Sequence, residues 1–378
     1  MIHPIKSVMQ LGLIACISFL FSSCSSGGGE TGDSAKALDI RIDTLAIQLD
    51  INSSGNNHSF QYLDWGTPTL AWFDKVTHSI ELYSLENPSL QKRIKLQKEG
   101  PDGVGTGNLG MYFITPDSIV ISNQITLYLV NSSGKVINKY RPELEALGGR
   151  PDFDIAAHKP VVRNGDQLFV SVFPQKDAFK QEDLRSWRSI VKLNLKDGKV
   201  EALGNLPPFM QENILGFNYT DKSFAGNGTH LIVSYSGDKA LYEIPFDQPE
   251  QMATLAVETG DFDNPKPMPT QSKNDMMGNF RHFAFNDSFD ALFFNGSHYM
   301  RICQSPITED EYKDRSWSKE KTLFFYNADF ELVHEFPLNS KYGNYLMTTA
   351  IPNGFLLKVK SDGEDVLNFM RVTIEAGS

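Results

Sequence analysis

From about residue 40 to its end, the chain is a succession of short apolar or alternating runs, each bounded by Gly, Pro, Asn or Asp. That pattern predicts strands and turns. No stretch after residue 24 sustains a long helical period. The runs fall into sets. Residues 60–65, 69–73, 79–84 and 91–96 form a first set of four, and 111–115, 118–122, 126–131 and 135–140 a second. The third set is 160–163, 167–173, 189–195 and 199–204, and the fourth 217–225, 230–235, 240–244 and 251–257. The fifth is 280–286, a run within 291–303, 322–327 and 331–336. The last set, 345–351, 354–360 and 367–374, has one strand too few.

The missing strand is supplied by the other end of the chain. Residues 40–49 (IRIDTLAIQL) alternate as a strand does and precede the first set. An all-β, six-bladed β-propeller follows, closed by the N-terminal strand completing the last blade, which leaves only short and protected sheet edges. The repeat is longer than the roughly 40–45 residues of a compact WD-type blade, and insertions account for the excess. Asn131-Ser132-Ser133-Gly134, Lys196-Asp197-Gly198 and Asn327-Ala328-Asp329 read as hairpin turns between runs. A large sandwich or two smaller β domains would also use such strands, but no Pro/Gly linker divides the chain.

The first residues are different in kind. After Lys6, residues 11–21 (LGLIACISFLF) are apolar except for Gly12 and Ser18. This run is shorter than the about 20 residues of a membrane-spanning helix and suits a signal peptide. Ser22-Ser23-Cys24 then resembles a lipobox, with Phe21 where an aliphatic residue is usual. The expected division is a lipoprotein signal peptide over 1–23, lipidation at Cys24, a flexible Gly/Ser-rich tether over 24–37 and one propeller domain over 38–378. The membrane, reached through the lipid anchor, is then the first expected partner. The expected location is the cell envelope, as an outer-membrane lipoprotein facing either the periplasm or the cell surface.

Composition narrows the rest. The net charge is −11, and loss of a segment whose only charge is Lys6 makes it one more negative. Such a chain is repelled by phosphate backbones, so nucleic acid is not an expected partner. Of three cysteines, Cys16 leaves with the signal and Cys24 takes lipid, so Cys303 alone remains and the fold has no internal disulfide. Burial must hold it, for which 26 Phe and 13 Tyr are ample. A monomer is expected.

Several segments resemble a family of uncharacterised lipoproteins from Bacteroidetes-type bacteria, a propeller-like domain of unknown function. They are residues 98–105 (KEGPDGVG), 116–119 (PDSI), Tyr299-Met300-Arg301 and Arg315-Ser316-Trp317-Ser318. The resemblance covers nearly all of the chain after Cys24. It implies a six-bladed propeller-like lipoprotein and supplies no activity and no catalytic residue.

Three insertions break the rhythm, over 174–186, 259–279 and 304–320. The first and third join the second and third strands of their blades, and the second joins two blades. Both kinds of connection emerge on one face of an up-and-down propeller, and long loops in compact domains are often functional. Two insertions end alike, in Asp183-Leu184-Arg185-Ser186-Trp187 and Lys313-Asp314-Arg315-Ser316-Trp317. Arg185 with Trp187 and Arg315 with Trp317 could each present a guanidinium beside a flat ring, suited to anions or sugars. The structural alternative has each Trp plugging a blade junction and each Arg paired with a carboxylate. Arg281 and His282 open the fifth set, where an innermost strand would line the channel, and Tyr299 and Arg301 are candidates of the same sort.

Other chemistry is thin. The acidic runs 261–263 and 309–311 lack the spacing of a calcium loop. No Cys/His set has zinc spacing, residues 103–107 lack the Lys-Ser/Thr ending of a phosphate loop, and there is no G-x-S-x-G elbow. No metal, cofactor or catalytic residue is therefore assigned. The expected function is a lipid-anchored binding or scaffold protein for a protein, peptide or glycan ligand rather than an enzyme. The alternative is a propeller-type polysaccharide lyase or hydrolase, using Arg281, His282 and acidic residues in the channel.

Overall fold

The alternation in residues 39–48 forms the strand β1 (Asp39–Gln48), which pairs antiparallel along its whole length with the last strand of the chain, Val366–Glu375. The computed structural model describes residues 39–375 apart from 56, 270–274, 339–346 and 362. Cys24, the signal segment and the tether lie outside the described residues.

The sets of runs become six antiparallel sheets. Blade 1 is β2 (Phe60–Asp64), β3 (Pro68–Asp74), β4 (Ser79–Ser84) and β5 (Ser89–Lys95). Blade 2 is β6 (Gly110–Thr115), β7 (Ser118–Asn123), β8 (Thr126–Val130) and β9 (Val136–Tyr140). Blade 3 has two short innermost strands, β10 (Asp152–Phe153) and β11 (Val162–Asn164), both paired with β12 (Gln167–Phe173), followed by β13 (Arg188–Asn194) and β14 (Val200–Asn205). Blade 4 is β15 (Lys222–Gly226), β16 (His230–Tyr235), β17 (Leu241–Pro245) and β18 (Ala253–Leu255). Blade 5 is β19 (Ser288–Phe294), β20 (Tyr299–Gln304), β21 (Lys321–Tyr326) and β22 (Leu332–Leu338). Blade 6 is β23 (Thr348–Ile351), β24 (Gly354–Val359), β25 (Val366–Glu375) and, outermost, β1.

β2 lies against β6 on one side and β23 on the other, β10 against β8, β11 against β15, and β19 against β15 and β23, so the ring is closed. Middle strands such as β3 and β7 are buried almost throughout because neighbouring blades cover both faces. The outer strand β5 (SLQKRIK) carries Lys92, Arg93 and Lys95, which blunts a sheet edge. The core is correspondingly divided among the blade junctions. One cluster joins blades 1 and 2 around Phe73, Ile119 and Ile121, and another joins blades 3 and 4 around Phe169, Trp187 and Phe224. The cluster joining blades 6 and 1 holds Ile47 of β1 with Phe60, Trp72 and Phe369. β1 is fixed further by Arg371, whose Nε and Nη2 donate to the Asp43 carboxylate at 2.8 and 3.0 Å.

Two expected strands differ. Residues 280–286 belong largely to a helix, Met276–Ala284, and the segment before β15 is a 3-10 turn, Phe217–Thr220. The helix is set by Asp275, whose carboxylate accepts from Met277 N and Gly278 N, both at 3.0 Å. The hairpin turns form as expected. Asn131, Asn194 and Asn327 each accept, through Oδ1, the backbone N–H two residues on.

The split innermost strand of blade 3 has a spatial result. Residues 154–161, between β10 and β11, cross the channel and plug it. Ala157 N donates to His58 O of blade 1 at 3.0 Å, and Ser223 Oγ of blade 4 donates to His158 O at 2.7 Å. The Lys159 ammonium ties the plug down through Asp154 and Asp221, at 2.5 and 2.7 Å. Burial alone would lower the Lys159 pKa, but Asp221 and Asp154 outweigh it and the net shift is upward. Gly110 of β6 lets the plug approach, since a Cβ there would meet Ile155 O at 2.2 Å.

Candidate binding face

Among the described residues four helices cap the propeller: α1 (Gln181–Arg185), α2 (Pro208–Glu212), α3 (Met276–Ala284) and α4 (Glu309–Lys313). Each lies either between the second and third strands of a blade or between two blades. Alternating strand direction brings both kinds of connection to one face, and their contacts agree. Gln181 Nε2 donates to Glu212 O at 3.1 Å, Met268 N to Ile214 O at 2.8 Å, and Ile307 N to Ala284 O at 2.9 Å. The three insertions, with the connection that carries α2 and the end of α3, thus make a continuous cap over blades 3, 4 and 5.

On this cap, α3 and α4 are joined by Arg281, which donates through Nη2 to Glu309 Oε1 at 2.7 Å and lies over the rings of Phe285 and Tyr312. α4 owes its start to a capping box in which Thr308 and Glu311 satisfy each other's backbone N–H. Trp317 stands outside, 45 % exposed, edge-on to Phe280 with ring centroids 5.1 Å apart. Its indole N–H donates to Tyr312 O at 3.2 Å. Arg315 is exposed beside it, in a left-handed backbone conformation (φ 57°).

A recess of about 580 Å³ opens beside α3, lined by Phe179 of the blade 3 insertion, Phe217, Asn218, Asp275, Met276, Asn279 and Phe280. Phe217 is 47 % exposed and Met276 82 % exposed. Phe217 is held in place by stacking on Phe173, with centroids 5.5 Å apart. Nothing in the sequence pattern marked Phe179, Phe217 or Met276. The N-cap Asp275 was the one available signal, because it announces the helix that carries Met276 and Phe280.

The other candidates do not join this group. His282, on α3, is half-buried, edge-on to Tyr219, with its pKa lowered by burial. Neither it nor Arg281 lines the channel, because the segment carrying them is helical and belongs to the cap. Trp187 is buried in the junction of blades 3 and 4, while Arg185 is exposed at the end of α1. The two Arg-Ser-Trp endings therefore diverge: one Trp is core and the other is surface.

Tyr299 is buried between Phe294 and Phe330. Arg301 is fully buried, with Nε donating to Ser234 Oγ at 2.9 Å, Nη2 to Asp238 O at 2.8 Å, and Nη1 to Lys239 O. Its guanidinium also covers the Phe289 ring at 4.5 Å. Blade 4 uses Arg301 to bind blade 5, which takes the residue out of reach of a ligand. Among the described residues, no three His, Cys, Asp or Glu side chains gather so as to hold a metal ion, and no helix is long and apolar enough to cross a membrane.

Among solved structures, a member of the DUF4221 family from Bacteroides vulgatus is 18 % identical with a TM-score of 0.76, over 90 % of this chain and 99 % of that one. A Bacteroides fragilis protein named as exported is 10 % identical with a TM-score of 0.56, over 89 % and 96 % of the two chains. At these identities the likeness shows the fold. No curated protein matches. Residues 36–337 match the family model described as a domain of unknown function, DUF4221, from just before β1 almost to the end of β22. The chain belongs to the DUF4221 family.

Proposed function

We propose that this protein is a lipid-anchored binding protein of the cell envelope whose helical cap takes an apolar segment of a peptide or protein. The observation that carries the reading is the recess walled by Phe179, Phe217, Met276 and Phe280, beside the exposed ring of Trp317. Exposed apolar side chains grouped around a concavity mark interaction surfaces. Methionine beside aromatics suits ligands of varied shape. The anchor rests on the Ser22-Ser23-Cys24 motif, and a relative named as exported supports an envelope address. The polysaccharide-cleaving alternative needs Arg281 and His282 in the channel with nearby acids, and their place on α3 removes its geometric basis.

The test is selection of ligands for the chain lacking residues 1–35, from a displayed peptide library and a glycan array. The selected ligand is then measured against Phe217→Ala, Met276→Ala and Trp317→Ala. A peptide ligand weakened about tenfold by Phe217→Ala or Met276→Ala is the expected result. Selection of glycans alone, or of peptides indifferent to all three substitutions, contradicts the reading.

A further inference from the structure

The plug closes the channel toward the cap, while the opposite end stays open as a recess of about 320 Å³. Ala157, Pro160 and Val161 of the plug form its floor, and Tyr62, Tyr112 and Phe293 are among its walls. We propose that this recess binds a small organic anion, a carboxylate carried on a single flat ring, with Arg163 as the anion-recognising group.

Among the described residues lining the recess, Arg163 alone is charged, in a chain of net charge −11. Among those residues a cation would find no carboxylate. The guanidinium is already oriented: Nε donates to Gly165 O at 2.8 Å and Nη1 to Ile114 O at 3.3 Å. Among the described residues Nη2 has no partner, so one arm of a fixed fork remains for a ligand. A cation held in place by protein carbonyls loses little further freedom on binding. The Tyr62 and Tyr112 hydroxyls likewise have no hydrogen-bond partner among the described residues, which leaves two further groups able to reach a carboxylate or a ring substituent. Tyr112 and Arg163 are neighbours electrically: burial raises the phenol pKa and the Arg163 charge opposes that rise. Gln61, by contrast, is spent, since its amide accepts from Phe113 N at 2.7 Å and donates to Phe113 O at 3.4 Å. The volume lies at the small end of ligand pockets, which run from about 300 to 1,000 Å³, and so admits one ring and not an oligomer. Aromatic walls suit a flat ring, and Arg163, exposed at the rim, stands where a carboxylate on that ring can reach it.

The experiment is titration calorimetry of the full chain in detergent with benzoate and 4-hydroxybenzoate, and with benzamide and 4-hydroxybenzamide as their neutral counterparts. The carboxylates should bind about tenfold more tightly than the amides, the usual worth of a charge-assisted hydrogen bond. Arg163→Gln should erase that preference while leaving amide binding unchanged. Tyr112→Phe, which keeps the ring, should weaken carboxylate binding severalfold with the thermal midpoint unmoved. Trp317→Ala, on the opposite face, should leave carboxylate binding at this recess as it was. Equal affinity for acid and amide, no carboxylate binding at millimolar concentration, or an Arg163→Gln protein that keeps its preference overturns the proposal. Loss of carboxylate binding in Trp317→Ala would do so too, by assigning the ligand to the cap.

Discussion

His158 sits in the plug with Nδ1 shut off from solvent, and burial, reinforced by the adjacent Lys159 ammonium, lowers its pKa to about 4. In the unfolded chain the same imidazole titrates near 6.5. Between these values the unfolded state takes up a proton that the folded state refuses, so stability falls as pH drops through about 6.5 toward 4. At pH 5 this one residue should cost about 2 kcal/mol relative to pH 7. Urea unfolding at both pH values should show the loss, and His158→Gln should remove a large part of it. His58, lowered mainly by burial, adds to the slope in the same sense and is left intact in that variant. An unchanged slope would mean that the plug does not hold His158 neutral. Single residues were the least legible scale in the sequence. Arg301 and Arg281 look alike along the chain, yet one is consumed by carbonyls between blades and the other bridges two surface helices. Likewise the shared Arg-Ser-Trp endings could not show that Trp187 would be covered and Trp317 would not, because burial depends on which neighbouring blade reaches over the loop.

The strands were legible for a reason that also explains the misreading of α3. Blade strands are short, apolar and bounded by turn residues, so each announces itself locally. The segment Phe280–Asn286 (FRHFAFN) places Phe at positions 280, 283 and 285, which fits a partly alternating strand as well as a helix face. Only the cap at Asp275 and the packing of Tyr219 against Phe283 decide for the helix. The plug was invisible because it depends on an interruption in the pairing of β12, and pairing partners are not written in one strand. β1 offers the sharpest test at this scale. Deleting residues 38–50 removes ten cross-strand partners, the Asp43–Arg371 pair and the wholly buried Ile47, and leaves β25 as an open edge. Burial of an isoleucine is worth about 1.5–3 kcal/mol, and an unpaired edge invites association. The truncated protein should aggregate or melt at markedly lower temperature in size-exclusion and thermal-melt measurements. A monodisperse product of unchanged midpoint would contradict closure by β1.

At the scale of the molecule, one feature unites otherwise separate parts: the first described strand and the last lie side by side. The described chain therefore begins in blade 6, where the ring is latched. Cys24→Ala should shift the protein from the membrane fraction to the soluble one without altering its melting temperature, as fractionation and calorimetry of the purified protein would read. Membrane retention by that variant would refute the anchor. The plug, finally, makes the central passage a cul-de-sac. Residues 154–161 stand across that passage, bonded to blade 1 and to blade 4. A solute entering the aromatic-walled chamber must leave by the same doorway, and a guest seated on the helices can neither block that doorway nor be displaced through it.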